Sequence, residues 1–414
     1  MERSWLQTMD VFDEYERRFA AARAQKNPTR PLHQREEILE STKRMLRYRE
    51  DLLPQIHGME ELARTEYPQC TGIAYRYETW PKCYGAATLY LPHNAEKPPL
   101  VFVCCGHGDA GRRNKSYAAM GQYLAGLGMA ALVMDNIGQG DRSRTEKITT
   151  NPDHWLATAP FACGLTLQGL IVMETVAMIR YMSSDPRFDP QRFAACGNSG
   201  GGTLTMFLAA LAPELQVIAS SGYPSEIGYL LQKERRHCAC NLLIGQAFEA
   251  EMWEIYSLFA PKPLLLSGGL WDDLIPADLA QRNARKVRST YVQLEADDRF
   301  TFKLTRTKHS WEEEDIALIG SFLSRNLLGE AAEALPVPEG IDPMEVPIPD
   351  DCLTTARLSA LLTGREAPED IPLEEIFRPT FAGKPIDPAA LQLDVGRGNV
   401  MRVFAQFESA LYQE

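Results

Sequence analysis

The chain has 414 residues, of which 45% are hydrophobic, so it can bury a large core and is expected to hold one main domain with additions. A net charge of -12 without a dense Lys/Arg block argues against nucleic acid or an anionic membrane as its main partner. Nine scattered cysteines suit reduced thiols better than a disulfide framework, and the charged start Met1-Glu2-Arg3-Ser4-Trp5 lacks a signal-peptide apolar run; both favour a cytoplasmic protein.

Residues 1–65 alternate charged and apolar positions at helical spacing, as in Met9, Phe12, Tyr15, Phe19 and then Ile38, Met45 and Tyr48, with Pro28 and Pro31 marking a break. This predicts a helical N-terminal extension. From 66 to 330 strands and helices alternate. Strands are predicted at Gly72–Glu78, Ala86–Leu91, Leu100–Cys105, Ala130–Met134, Arg192–Cys196, Gln216–Ser220, Pro263–Ser267, Thr290–Leu294 and Phe300–Leu304. Helical stretches between most of them call for an α/β fold with a mainly parallel sheet covered on both faces, and ligands at the carboxyl ends of its strands. The most apolar stretch, Gly164 to Met182, carries Gln168, Glu174 and Arg180 and reads as a buried helix, not a membrane span. Residues 331–414 form a C-terminal extension. It starts as a linker rich in proline (Pro336, Pro338, Pro343, Pro347, Pro349) and regains helical character near Thr354–Leu362 and Asn399–Tyr412, where Val403, Phe404, Phe407 and Leu411 line up as a docking stripe.

The chemistry centres on Gly197-Asn198-Ser199-Gly200-Gly201, placed where a predicted strand meets a predicted helix. This is the setting of a nucleophile elbow, a tight turn that presents a serine to a base. An acyl-transfer site also needs two N–H groups for the developing oxyanion; Gly200, directly after the serine, supplies one. Of the histidines only His237 and His309 follow Ser199, and His309 sits on a loop between the last predicted strand and the helix Glu312–Leu327. The loop Gly268-Gly269-Leu270-Trp271-Asp272-Asp273-Leu274-Ile275-Pro276 offers two carboxylates.

That loop resembles the G-x-x-D-x-x-[IV]-P loop of α/β-hydrolases related to dienelactone hydrolases, acetyl xylan esterases and prolyl oligopeptidases. The resemblance spans roughly residues 70–330. It implies the α/β-hydrolase fold and a triad in the order nucleophile, acid, base: Ser199, Asp272 and His309. Asp272 is preferred over Asp273 because the acid lies four positions before the proline; Glu226 is the outside candidate, since some hydrolases place the acid there. Gly106-His107-Gly108-Asp109-Ala110-Gly111 resembles the family's His-Gly loop, which implies His107 N–H as second oxyanion donor, Gly108 as its fallback, and Gly108 and Asp109 beside the substrate. Asp135-Asn136-Ile137-Gly138-Gln139-Gly140-Asp141-Arg142 looks like a structural Asp-x-x-Gly-x-Gly-x-Arg stretch. Trp271 and Trp311 are candidate pocket walls. His237, Cys238 and Cys240 are similar to a segment of some acetyl xylan esterase-like relatives; a tetrahedral metal site would need a further ligand, so they are expected to pack near the pocket with no metal and no cofactor.

The resemblance implies a serine hydrolase that cleaves an ester through an acyl-enzyme, most simply a carboxylesterase or a carbohydrate (acetyl) esterase acting on a small-molecule or carbohydrate ester. A prolyl-oligopeptidase-like peptidase is the enzymatic alternative; a non-catalytic hydrolase fold that binds a protein partner is the other. The extensions are expected to shape the pocket entrance or a contact between copies.

Overall fold

Five consecutive inner strands are apolar without alternation, so each must be covered on both sides. The computed structural model describes residues 26–93, 95–144, 159–160, 163–232, 243, 249–329 and 333–365. In it the strands are β1 (Met59–Glu66), β2 (Cys70–Glu78), β3 (Tyr84–Pro92), β4 (Leu100–Cys104), β5 (Ala130–Met134), β6 (Phe193–Asn198), β7 (Val217–Ser221), β8 (Leu264–Gly269) and β9 (Phe300–Thr305). They form one nine-stranded sheet in the order β1-β2-β3-β5-β4-β6-β7-β8-β9. β1, β2, β3 and β5 pair antiparallel in turn, and every pair from β5-β4 to β8-β9 is parallel.

Besides short helical segments at Arg30–His33 and Ile227–Gln232, the helices are α1 (Arg35–Leu46), α2 (Lys115–Gly126), α3 (Leu167–Met182), α4 (Gly200–Leu211), α5 (Met252–Ser257), α6 (Ala277–Gln293), α7 (Glu313–Leu328) and α8 (Thr355–Thr363). Strand alternation divides them between two faces. Phe102, Leu132, Ile218, Leu264 and Leu266 face one way, into a core with α1, α3, α4, α5 and α6. Val101, Val103, Val133, Ala219 and Leu265 face the other, against α2 and α7. After β4 the chain crosses to β5 on one side, and β6 then joins β4 on the other. The carboxyl ends of β4 and β6 therefore flank the point where strand order reverses, which is where an open α/β sheet leaves a crevice.

Two expected elements differ. Thr290–Leu294, expected as a strand, instead ends α6: Leu279, Ala280, Asn283, Ala284, Val287, Thr290 and Tyr291 are its buried face, and helical periodicity over 17 residues outweighs local strand preference. Conversely β1 falls inside the stretch expected to be helical. It is a charged edge strand that forms no continuous buried face and is held through its ladder with β2. Its Glu60, Glu61, Arg64 and Glu66 suit an edge that must not recruit another strand.

Past α7, residues 333–353 run as an extended strap. Leu335 and Val337 pack on the α2/α7 core. Met344, Val346 and Ile348 cover Ala74 and Ala86 on β2 and β3. The expected apolar positions Met9, Phe12, Tyr15, Phe19, Val403, Phe404, Phe407 and Leu411, and the segment His237, Cys238 and Cys240, lie outside the described residues.

Candidate active site

Ser199 caps α4 from a strained conformation, φ 58° and ψ -120°, in the turn that leaves β6. A non-glycine residue at positive φ costs of order 1–3 kcal/mol and persists only where its surroundings enforce it. The enforcement is visible: Ser199 N–H donates to Ser221 O on β7 at 3.1 Å, and its own carbonyl accepts from Thr203 N–H at 2.9 Å. Gly201 is needed for the close approach to β4, since a Cβ there would lie 1.9 Å from the Cys104 carbonyl oxygen.

His309, on the loop between β9 and α7, bridges two partners. Its Nε2 lies 2.7 Å from Ser199 Oγ and its Nδ1 lies 2.8 Å from Asp272 Oδ2. The Asp272 side chain is 1% exposed, against 19% for His309. Its other oxygen, Oδ1, accepts from the N–H groups of Leu274 (2.8 Å) and Ile275 (2.9 Å), which leaves Oδ2 aimed at the imidazole. With Nδ1 donating to the carboxylate, Nε2 is the acceptor for the serine hydroxyl, the arrangement that activates a serine as nucleophile.

Asp273 is exposed. Glu226 instead faces Arg282 at 3.3 Å and Lys286 at 3.9 Å. Neither takes the position on the imidazole that Asp272 holds.

The loop after β4 is pinned on three sides. Gly106 N–H donates to Tyr117 Oη at 2.7 Å; Asn136 Nδ2 donates to Cys105 O at 2.9 Å; Gln139 Nε2 donates to Gly106 O at 3.1 Å. The loop sets His107 over the elbow, where a Cβ on Gly200 would stand 2.6 Å from the His107 ring. Desolvation, and then the charge of nearby His309, pull the His107 pKa down to about 4, so its imidazole is neutral at ordinary pH. Gly108 is partly covered and Asp109 is exposed at the outer end of the loop.

The two tryptophans part company. Trp271 is 62% exposed beside Asp272, its backbone N–H held by Thr307 O at 3.0 Å. Trp311, expected as a pocket wall, is 5% exposed and lies in the α2/α7 core: its indole N–H donates to Ser221 Oγ at 2.6 Å and its ring meets Tyr117 edge-on at 5.5 Å. An apolar ring with one donor is best satisfied there, with the ring dry and the N–H paired. In the stretch after β5, Arg142 pairs with buried Glu174 at 2.8 Å and donates to Asp135 O at 3.0 Å.

The sequence reading did not pick out Asn198, Ser221, Tyr117, Asn136 and Gln139 as site-building residues. Asn198 adjoins the elbow and Asn136 and Gln139 fall in the stretch read as structural, whereas Ser221 and Tyr117 carried no local signal. Among the described residues no group of three or more His, Cys, Asp or Glu side chains could hold a metal ion, and no helix is long and apolar enough to cross a membrane. Cys104 and Cys196 are buried free thiols on strands next to the site, and burial pushes Cys104 up to about 12.

Strand order, crossing point and elbow are those of the α/β-hydrolase fold. Residues 59–231 match the model of the acetyl xylan esterase (AXE1) family. A Bacillus subtilis (strain 168) protein named "Putative hydrolase YtaP" is 25% identical over 225 residues, 51% of this chain and 73% of that one. Among solved structures, methylesterase BT1017 superposes with a TM-score of 0.61 at 18% identity, covering 84% of this chain and 78% of its own. A glucuronoyl esterase from Solibacter usitatus does so with a TM-score of 0.53 at 12% identity, covering 72% and 93%.

Proposed function

We propose that the protein is a serine esterase acting on a carbohydrate or other small-molecule ester through an acyl-enzyme. The observation that carries this reading is His309 bridging Ser199 Oγ and Asp272 Oδ2 at hydrogen-bond distance. Ser199 Oγ attacks the ester carbonyl while His309 Nε2 takes its proton; His309 returns that proton to the leaving alcohol, and water, activated by the same imidazole, releases the acid. Asp272 holds the tautomer and stabilises the imidazolium. The Gly200 and His107 N–H groups receive the oxyanion. Trp271, flat, exposed and fixed by its backbone, offers a face for a sugar or aryl portion of the alcohol.

The match to the acetyl xylan esterase model and the esterase names of the structural neighbours support a carboxylic ester over a peptide bond as substrate. Free, scattered cysteines support a reducing, cytoplasmic setting. The test is labelling with a fluorophosphonate probe together with a panel of acetylated sugars, methyl esters and aryl esters. Wild type should label and hydrolyse at least one ester class; Ser199→Ala should fold, fail to label and lose turnover by several orders of magnitude. Equal activity in Ser199→Ala would sink the proposal.

A further inference from the structure

Ser199 and His309 come from strands that are not neighbours: β6 ends at the serine, β9 precedes the histidine, and β7 and β8 lie between. Their spacing therefore needs a link across the top of the sheet besides the bond between the two reacting side chains. Asn198, the residue immediately before the nucleophile, provides one: its Nδ2 donates to the backbone carbonyl of His309 at 3.2 Å.

The orientation of that amide is decided by a chain of donors. An indole N–H can only donate, so Trp311 Nε1, 2.6 Å from Ser221 Oγ, occupies an acceptor position on that hydroxyl. The hydroxyl proton then has two acceptors in reach, Asn198 Oδ1 at 3.1 Å and the Gly197 carbonyl at 3.3 Å. The His309 carbonyl can only accept, so the amide turns its NH₂ to it and its oxygen to the Ser221 hydroxyl. Ser221 also accepts the Ser199 N–H on its carbonyl, so one residue of β7 fixes both the nucleophile's backbone and the amide beside it. Room for the amide comes from Gly222, at φ +61°, where a Cβ would lie 2.3 Å from Asn198 Oδ1. Asn198, Ser221 and Trp311 are 6%, 2% and 5% exposed, so water does not compete well for these bonds.

We propose that Asn198 is a positioning residue that ties the nucleophile's turn to the loop carrying the base, with Ser221 and Trp311 setting the direction of its amide. The inference rests on the serine-esterase reading above. Asn198 does not touch the reacting atoms; it acts by holding the His309 backbone where the imidazole reaches Ser199.

The test uses the full chain, the best ester found in the panel, and two variants. Asn198→Ala removes the tether and should lower kcat about 10²-fold, the order of loss expected from displacing a catalytic group by about 1 Å, with KM little changed and fluorophosphonate labelling slowed in parallel. Asn198→Asp is isosteric and more informative. As a carboxylate it sets an oxygen against the His309 carbonyl; protonated, it regains a donor there. The activity ratio of Asn198→Asp to wild type should therefore be lowest at pH 8 and climb as pH falls through the range in which a buried carboxyl takes up a proton. His309, Asp272 and His107 belong to the same site in both proteins, so the two are compared at each pH. Should Asn198→Ala fail to fold, the Asp variant alone decides. A ratio constant across pH 5–8, or wild-type kcat in Asn198→Ala, overturns the inference. If these variants match an active wild type while Ser199→Ala is dead, only the positioning role fails; if wild type neither labels nor hydrolyses any ester, both fall together.

Discussion

Asp272 and Asp273 are adjacent carboxylates with opposite surroundings, and the difference sets what each can do. Asp272 is buried with two backbone donors on Oδ1 and the imidazole on Oδ2; Asp273 is exposed. Asp272→Asn should reduce turnover by about 10⁴, because an amide there can stabilise the wrong imidazole tautomer. Asp273→Asn should stay close to wild type, and steady-state rates on one ester settle the matter; equal losses would reverse the assignment. His107 gives a second expectation. The unfolded histidine binds a proton near pH 6.5, the folded one only near 4, so between these values the unfolded state holds more protons and stability must fall as pH falls. Asp135 works oppositely: desolvation raises its pKa to about 6, so its folded form holds more protons over roughly pH 4 to 6 and it favours stability at the acid end. Since both groups titrate together, the informative quantity is the difference between His107→Phe and wild type. The variant should lose less melting temperature between pH 6.5 and 4, measured by thermal unfolding at each pH; an equal loss would remove His107 from the account. At this scale Ser199, His309 and both candidate carboxylates were legible as neighbours, because the turn and the loops after strands leave marks in local sequence. Asn198, Ser221 and Tyr117 were not, because their roles depend on contacts between strands and helices far apart in the chain.

Among elements the strap has the least sequence signature and some of the most consequential contacts. Proline-rich and extended, it reads as a linker, yet Asp342 is buried where Thr88 Oγ1 (2.8 Å), Tyr90 Oη (3.0 Å) and Met344 N–H (3.0 Å) all donate to it. Arg112, wholly buried, donates to the Met344 carbonyl at 2.9 Å and to Asp141 at 2.7 Å, with Asp342 3.9 Å away. Val346 N–H reaches Asp141 in turn at 2.8 Å. Asp342→Ala leaves two buried hydroxyls and part of a buried cation unmatched, which should cost about 3–5 kcal/mol. Asp342→Asn, which keeps an acceptor, should cost less. Chemical denaturation measures both; a loss near zero in the Ala variant would mean the strap only rests on the sheet. The strands of the parallel half were legible because continuous apolar runs have few other uses. β1 was missed because an edge strand held by backbone pairing need not be apolar, and the end of α6 because β-branched residues serve a helix well once its buried face is set.

For the whole molecule, the sheet order explains why residues scattered over more than a hundred positions meet: Ser199 and His309 are 110 apart in sequence and joined at one edge of the crevice. Alternating periodicity predicted a parallel sheet with its ligands at the carboxyl ends of the strands. The antiparallel start and the placing of β4 between β5 and β6 are properties of pairing, for which single-strand patterns hold no record. The strap adds a consequence in time. Ser199, Asp272 and His309 all leave the ribosome before it does, and Arg112 waits for an acceptor made 232 residues later. The sheet therefore buries a cation that lacks this acceptor until the strap has been made, although domains can begin to fold while still being made. Nascent chains arrested with residue 340 just exposed should stay protease-sensitive and react poorly with a fluorophosphonate, whereas chains arrested after residue 353 has emerged should resist the protease and label. Equal labelling at the two lengths would show that the site matures without its last strap. On this account the fold is completed by a segment made after every residue of the site, and a message truncated before it should yield a protein that holds Ser199, Asp272 and His309 and still does no chemistry.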